Sequence, residues 1–503
     1  MNPGRTVTKA PATADPATGR PPRRWPGADL AVAALTGVLV AAAVVGAVVS
    51  AAAGRPVYAD AAPLFGQWLP HVGPGTLPAL AVAVVVIRVG ARLAERLPWR
   101  PLMILGYLAA LAWSLSLALV DGWQRGLAGR LATRPEYLRT VPEVTDIGAM
   151  LRGFTGRILL HQSDSWPTHI AGHPPGALLN FVLLDRIGLG GPAVAALACV
   201  AAGAAIAVAV PVTVRALVSE PAARASVPFL VLLPGAVWLG VSADAVTAGV
   251  ATSGLALLAV GSTARRPAHR TGALVAAGAV LGYCLYLSYG MVLLAPIGLA
   301  VALLAHRRAA GPTGPVGTAG PGMVDSRAGW QAVLTRLGWV LAGAGAVVAT
   351  FTVAGFWWLD GYQLVVERYY QGIATQRPYS YWVWANLACV GLSAGPAMAV
   401  VLRRAAVVLR RAVALTRGTT AVWLSPDGRD RWRIAVLPIA ALTAMLVADA
   451  TGLSKAEVER IWLPFLVWLP AGAALLPDRH RRGWLALQAA VALAVNHLVL
   501  TNW

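Results

Sequence analysis

From Asp29 to Ala53 the chain carries no charge after Asp29 itself. A block of that length matches the ~17–25 apolar residues that cross about 30 Å of hydrocarbon as a helix rising about 1.5 Å per residue. Similar blocks recur to the end of the chain, and they limit its fold more than any other feature. Of the 503 residues, 57% are hydrophobic and 12% are charged, against about 25% charged in an ordinary soluble domain. The pattern predicts an all-α polytopic transmembrane bundle of about 13 helices. The expected spans are residues 29–53, 76–94, 101–120, 191–214, 226–242, 245–262, 272–288, 290–306, 337–358, 381–402, 434–449, 461–477 and 484–501.

The formal charge of +20 does not indicate a nucleic-acid binder. The arginines stand in short clusters between apolar blocks, as in Arg265-Arg266, Arg307-Arg308, Arg403-Arg404 and Arg481-Arg482. That is the positive-inside pattern, and no basic face interleaved with aromatic residues accompanies it. Read by this rule, residues 1–28 form a disordered cytoplasmic tail rich in Pro, Arg, Thr and Ala, followed by a retained anchor helix. Residues 29–120 are three spans. Residues 121–190 are extracytoplasmic, and residues 191–503 are the remaining bundle, with a flexible cytoplasmic linker at 309–322. Cys199, Cys284 and Cys389 lie far apart in or beside apolar blocks and read as small core residues.

The segment 121–190 is the longest without a full apolar span. Ile147, Met150, Leu151, Phe154 and Ile158 recur near helical spacing, which predicts an amphipathic helix on the membrane surface. A second such piece covers 176–189. Between them stands His173-Pro174-Pro175-Gly176. Tandem prolines fix the backbone, and a helix can begin at the second, so His173 is expected at a rigid corner. Asp121, Glu136 and Asp146 are the candidate catalytic carboxylates of this segment. His161 and His169 are expected to be solvated loop residues. Asp121 also suits a helix end, and Asp146 an N-cap.

The order of these features resembles the GT-C superfamily of polytopic glycosyltransferases, which includes protein O-mannosyltransferases and aminoarabinose transferases of lipid A. In that superfamily a catalytic acid opens the first large outer loop. A juxtamembrane helix, a Lys/His-Pro-Pro-Leu-like turn and a second surface helix follow. Here three spans precede the loop instead of one, the catalytic Asp-Glu pair is absent, and Gly176 stands where Leu is usual. The likeness covers roughly residues 101–306 and includes Asp244 at the outer end of a span hairpin.

The resemblance implies a transferase that moves a sugar from a polyprenyl-phosphate donor to a glycan, lipid or protein of the cell envelope. A carboxylate would take the acceptor proton, and cations would hold the phosphate. The candidate binding residues are His173, Pro174, Pro175, Asp244, Arg139, Arg152, Glu367, Arg368, Lys455 and Arg460, with Arg125 as a further outer cation. The resemblance also allows a divalent metal held by acidic residues or His173. The competing reading is a multi-span transporter or flippase of a lipid-linked or small polar solute. Transporters carry ionisable groups near the bilayer midplane, whereas the acids here cluster at the outer ends of spans.

Overall fold

The computed structural model describes residues 26–309, 326–416 and 426–501. The expected tail, up to residue 25, and the expected linker, from residue 310, lie outside the described residues. Its regular structure is helical apart from one two-stranded pairing, β1 (Gly66–Trp68) against β2 (Val499–Thr501), antiparallel with Gly66 opposite Thr501.

The first three spans are α1 (Gly27–Ala52), α2 (Thr76–Arg96) and α3 (Trp99–Ala118). The 121–190 segment contributes α4 (Ile147–Gly153), α5 (Thr168–Ala171) and α6 (Gly176–Arg186). The bundle continues with α7 (Pro192–Ala204) and α8 (Ile206–Leu217), which together make one span, then α9 (Glu220–Val231) and α10 (Ala236–Leu239). Next come α11 (Ala243–Thr263), α12 (Pro267–Leu287), α13 (Ala295–Ala309) and α14 (Ser326–Val353). The last third holds α15 (Trp358–Gln371), α16 (Tyr379–Ser393), α17 (Pro396–Thr416), α18 (Pro426–Ala450), α19 (Val458–Ile461), α20 (Leu463–Leu466) and α21 (Asp478–Leu498).

Among the described residues nine helices are long and apolar enough to cross a membrane, or ten if a bent pair is counted as one span. Four of the 13 expected spans depart from this: 484–501 falls in α21, which is not among the nine and gives way to β2 at Val499, and three others are broken. The 226–242 block stops at Pro234-Gly235, between α9 and α10. The 381–402 block turns through 108° between α16 and α17. Gly395 takes a left-handed φ of 87° there, and Pro396 opens the next helix. The 461–477 block is a chain of short turns whose Leu463, Phe465, Trp468 and Leu469 are fully enclosed by neighbouring helices. Irregular backbone at this depth is tolerated because protein, not lipid, surrounds it.

The basic connectors gather at one end of the bundle. Arg224 donates to the carbonyls of Ala94 and Leu97, Arg308 to those of Arg215 and Ala216, and Arg403 and Arg404 bind Asp29 in the first turn of α1. The opposite end carries the 121–190 segment together with β1 and β2.

Candidate active site at the 121–190 segment

The site is built on the last turn of α3. That helix ends in a 3₁₀ turn at Leu119–Asp121, and Gly122 reverses the chain with φ 83°. The following coil folds back so closely that a Cβ on Gly126 would strike the Ala118 carbonyl. Asp121 is thereby held at the helix end with only 7% of its side chain exposed. Its Oδ1 meets His71 Nε2 at 2.6 Å, and its Oδ2 lies 3.8 Å from Arg130. The other ring nitrogen of His71 meets the Leu69 carbonyl at 2.6 Å. Arg130 in turn donates to the Thr501 carbonyl and hydroxyl at 2.7 and 2.9 Å. Burial lowers the Arg130 pKa, opposed by Asp121 and Glu136.

Beyond Arg130 the network continues inward. Glu136 is buried and accepts from His169 Nδ1 at 2.7 Å. The expectation of a solvated His169 is therefore corrected: the ring is buried because α5 folds under the 121–146 coil, where the His169 amide donates to the Pro135 carbonyl. His161 does sit exposed, at a left-handed φ of 70°.

The His-Pro-Pro-Gly run forms the expected corner, with Pro175 capping α6. His173 Nδ1 faces the His169 carbonyl at 2.7 Å and the Tyr137 hydroxyl at 3.2 Å. Burial holds His173 below the ordinary histidine range, against the pull of Asp244, and burial likewise pushes Tyr137 well up. Pro174 and Pro175 are buried, and Gly176 abuts α12 so tightly that a Cβ would lie 2.5 Å from the Tyr286 carbonyl. A leucine has no room there.

From the bundle side, Asp244 lies in the first turn of α11 and accepts from Arg460 at 2.6 Å, each side chain 7% exposed. Arg460 also binds Glu457 at 3.0 Å, and Arg377 binds Glu457 at 2.9 Å. Burial opposes the Glu457 charge, yet Arg460 and Arg377 overcome it and hold the carboxyl below its ordinary range. Neighbouring Glu459 is fully buried. It accepts from the Phe65 amide at 2.8 Å and meets the Cys389 thiol. Burial raises its pKa to about 7.

The other expected residues lie outside this network of contacts. Asp146 is exposed and accepts from the Ala149 amide at 3.0 Å, capping α4; that amide bond lowers its pKa. Arg152 is exposed beside it, and Arg139 is exposed with Nε donating to the Ala132 carbonyl at 2.8 Å. Arg125 and Glu367 are also exposed. The apolar stripe expected on a membrane-surface helix points into protein instead. Met150, Leu151, Phe154 and Ile158 are buried, with Phe154 edge-on to Phe356 at 5.6 Å.

Amphipathic α15 brings a second group of residues to this end. Arg368 reaches the Trp166 carbonyl at 3.4 Å, and burial lowers its pKa. Lys455 donates to the Ala374 carbonyl at 2.9 Å and lies 5.4 Å from the Tyr370 ring centroid, while its amide meets the Tyr369 hydroxyl at 3.0 Å. Neither cation has a carboxylate within ion-pair distance among the described residues. Both flank the Tyr369-Tyr370 pair.

The residues present do not fit a metal ion. No group of three or more His, Cys, Asp or Glu side chains is placed to hold one among the described residues. The network carboxylates already face His71, Arg130, His169, Arg460, Arg377 or a backbone amide.

No protein-family model matches the chain, and no curated protein does. Among solved structures it aligns with the Archaeoglobus fulgidus oligosaccharyltransferase in complex with Zn and sulfate, at 15% identity and TM-score 0.41, over 79% of this chain and 53% of that one. The chain thus spans about half the length of that protein. It also aligns with ArnT from Cupriavidus metallidurans. The apo form gives 17% identity, TM-score 0.29 and coverage of 80% and 77%. The form bound to undecaprenyl phosphate gives 17% identity, TM-score 0.28 and coverage of 77% and 78%.

Proposed function

We propose that this protein is a multi-pass cell-membrane glycosyltransferase of the GT-C kind, with its N-terminus in the cytoplasm and residues 121–190 on the far side. It moves a sugar from a polyprenyl-phosphate donor to a glycan, lipid or protein of the envelope. The observation that carries this reading is Asp121, a carboxylate fixed at a span end between His71 and Arg130. Arg368 and Lys455, held on backbone carbonyls rather than carboxylates, supply positive charge at the same end of the bundle.

The acceptor oxygen attacks the anomeric carbon, the bond from that carbon to the phosphate oxygen breaks, and the electron pair leaves with the phosphate. Asp121 takes the hydroxyl proton, a role that needs an oriented carboxylate. Arg368 and Lys455 face the growing negative charge on the phosphate. His71 and Arg130 are positioning residues. Glu136, His169, His173, Asp244 and Arg460 form the rigid floor that sets the His-Pro-Pro corner. Asp146 is assigned to capping rather than to chemistry. The transporter reading is less well supported, because Asp244 and Asp29 both sit in the first turn of their helices rather than at mid-span.

The test is transfer from a panel of polyprenyl-phosphate sugars by the purified protein in lipid nanodiscs. Asp121→Asn is expected to lower the rate roughly 10²–10⁴-fold, while Asp146→Asn keeps most of it. Equal rates in the wild type and Asp121→Asn, or solute uptake without any transfer, would overturn the assignment.

A further inference from the structure

At the other end of the bundle Arg404, Arg431 and Arg479 line an open cavity of about 510 Å³, with residues 474–478 along its wall. The proposed transfer makes no use of it. Arg404 is locked in place: its Nε and Nη2 bind Asp29 at 3.1 and 2.6 Å, and Nη1 donates to the Leu475 carbonyl at 3.2 Å. Arg403 shares Asp29 at 2.7 Å, so one buried carboxylate serves two guanidiniums and the pair keeps net positive charge. Arg431 and Arg479 are exposed and have no carboxylate partner among the described residues. Asp478, the acid of the lining, is engaged by Arg481 at 2.8 Å. The remaining wall is apolar, from Leu475, Leu476 and Pro477.

The depth of this cavity follows from Asp29. It lies in the first turn of α1, whose Leu35, Val38, Val45 and Val48 project from the protein as lipid-facing side chains do. One turn inside such a helix is the level of the lipid headgroups. Guanidinium forks at that level match phosphate oxygens, and they disfavour a headgroup that also carries an amine. The volume lies within the ~300–1,000 Å³ range of small-ligand sites. We propose that the cavity binds the phosphate headgroup of an anionic phospholipid in the leaflet at the basic end, with Arg404 as the fixed contact and Arg431 and Arg479 as closing ones. Basic pockets between membrane helices on the cytoplasmic side are suited to such headgroups.

The experiment compares retention of labelled phosphatidylglycerol and phosphatidylcholine by the full-length protein in mixed nanodiscs. The wild type is expected to prefer phosphatidylglycerol, and Arg431→Gln/Arg479→Gln to lose that preference roughly tenfold. Arg55→Gln/Arg134→Gln removes the same charge from exposed positions elsewhere and is expected to retain it. Equal preference in the wild type and the first double variant overturns the proposal. So does thermal stabilisation by inorganic phosphate without lipid preference, which would assign the site to a soluble anion.

Discussion

At the Asp121 end of the bundle, acids and cations alternate inside the protein, so that Asp121, Glu136, Asp244 and Glu457 each meet a His or Arg within hydrogen-bond reach. At the Asp29 end the arginines outnumber the acids, and several open onto water. The two arrangements respond differently to substitution. A buried pair keeps its charges only while both partners remain, and losing one leaves an uncompensated charge in a poor solvent. An exposed arginine loses little, because water replaces its partner. The first end thus holds its groups in fixed geometry, while the second leaves cationic groups open to solvent.

The sharpest way to break this contrast is Arg460→Met. It strands Asp244 and half of Glu457, and is expected to cost about 3–5 kcal/mol of stability, measured by thermal unfolding in detergent. A loss no larger than that of Arg431→Gln would erase the distinction between the ends. Next in size is Gly176→Ala. The added methyl presses on the Tyr286 carbonyl, and overpacking of this kind costs about 1–3 kcal/mol. Tryptophan fluorescence should report a matching fall in the midpoint.

Smaller still is a pH effect from Glu459, whose pKa rises from 4.5 to about 7 on burial. A raised pKa contributes stability that is complete below 4.5 and lost as pH climbs through about 7. Glu459→Gln should flatten that decline in a series of melting curves. His173 has the opposite sign. Its pKa is lowered by burial, so its contribution is kept at high pH and lost as pH falls through and below 6.5. Last, Arg431→Gln and Arg479→Gln should each change the melting free energy by less than about 0.5 kcal/mol in neutral lipid. A larger drop there would mean that the groove arginines are structural.

The spans were legible in the sequence because hydropathy reports transfer out of water, and most apolar blocks do become long helices. It failed where a block is buried by protein rather than by lipid. Both environments select Leu, Trp and Val, so 461–477 read as a span although it is a run of short turns. Pro234 and Gly395-Pro396 were the available signals for two of the three breaks. At the site the residue types were legible and the pairings were not. Asp244 and Arg460 both stood out, yet 216 residues separate them, and nothing local says that they meet. His71, Arg130, Arg377 and Glu457 were not singled out as site groups. His169 was misread because a polar loop suggests water, whereas this one folds over its own histidine. Asp146 showed its capping role through its position before an amphipathic run.

The pairing of β1 with β2 sets an order of assembly. Arg130 receives its Thr501 contacts from a residue 371 positions later in the chain. While the ribosome is still delivering α21, Arg130 therefore lacks those anchors, and the acid it steadies is incompletely framed. The frame around Asp121 is therefore completed only after α21 has formed and β2 has docked on β1, which makes this corner a late event in assembly.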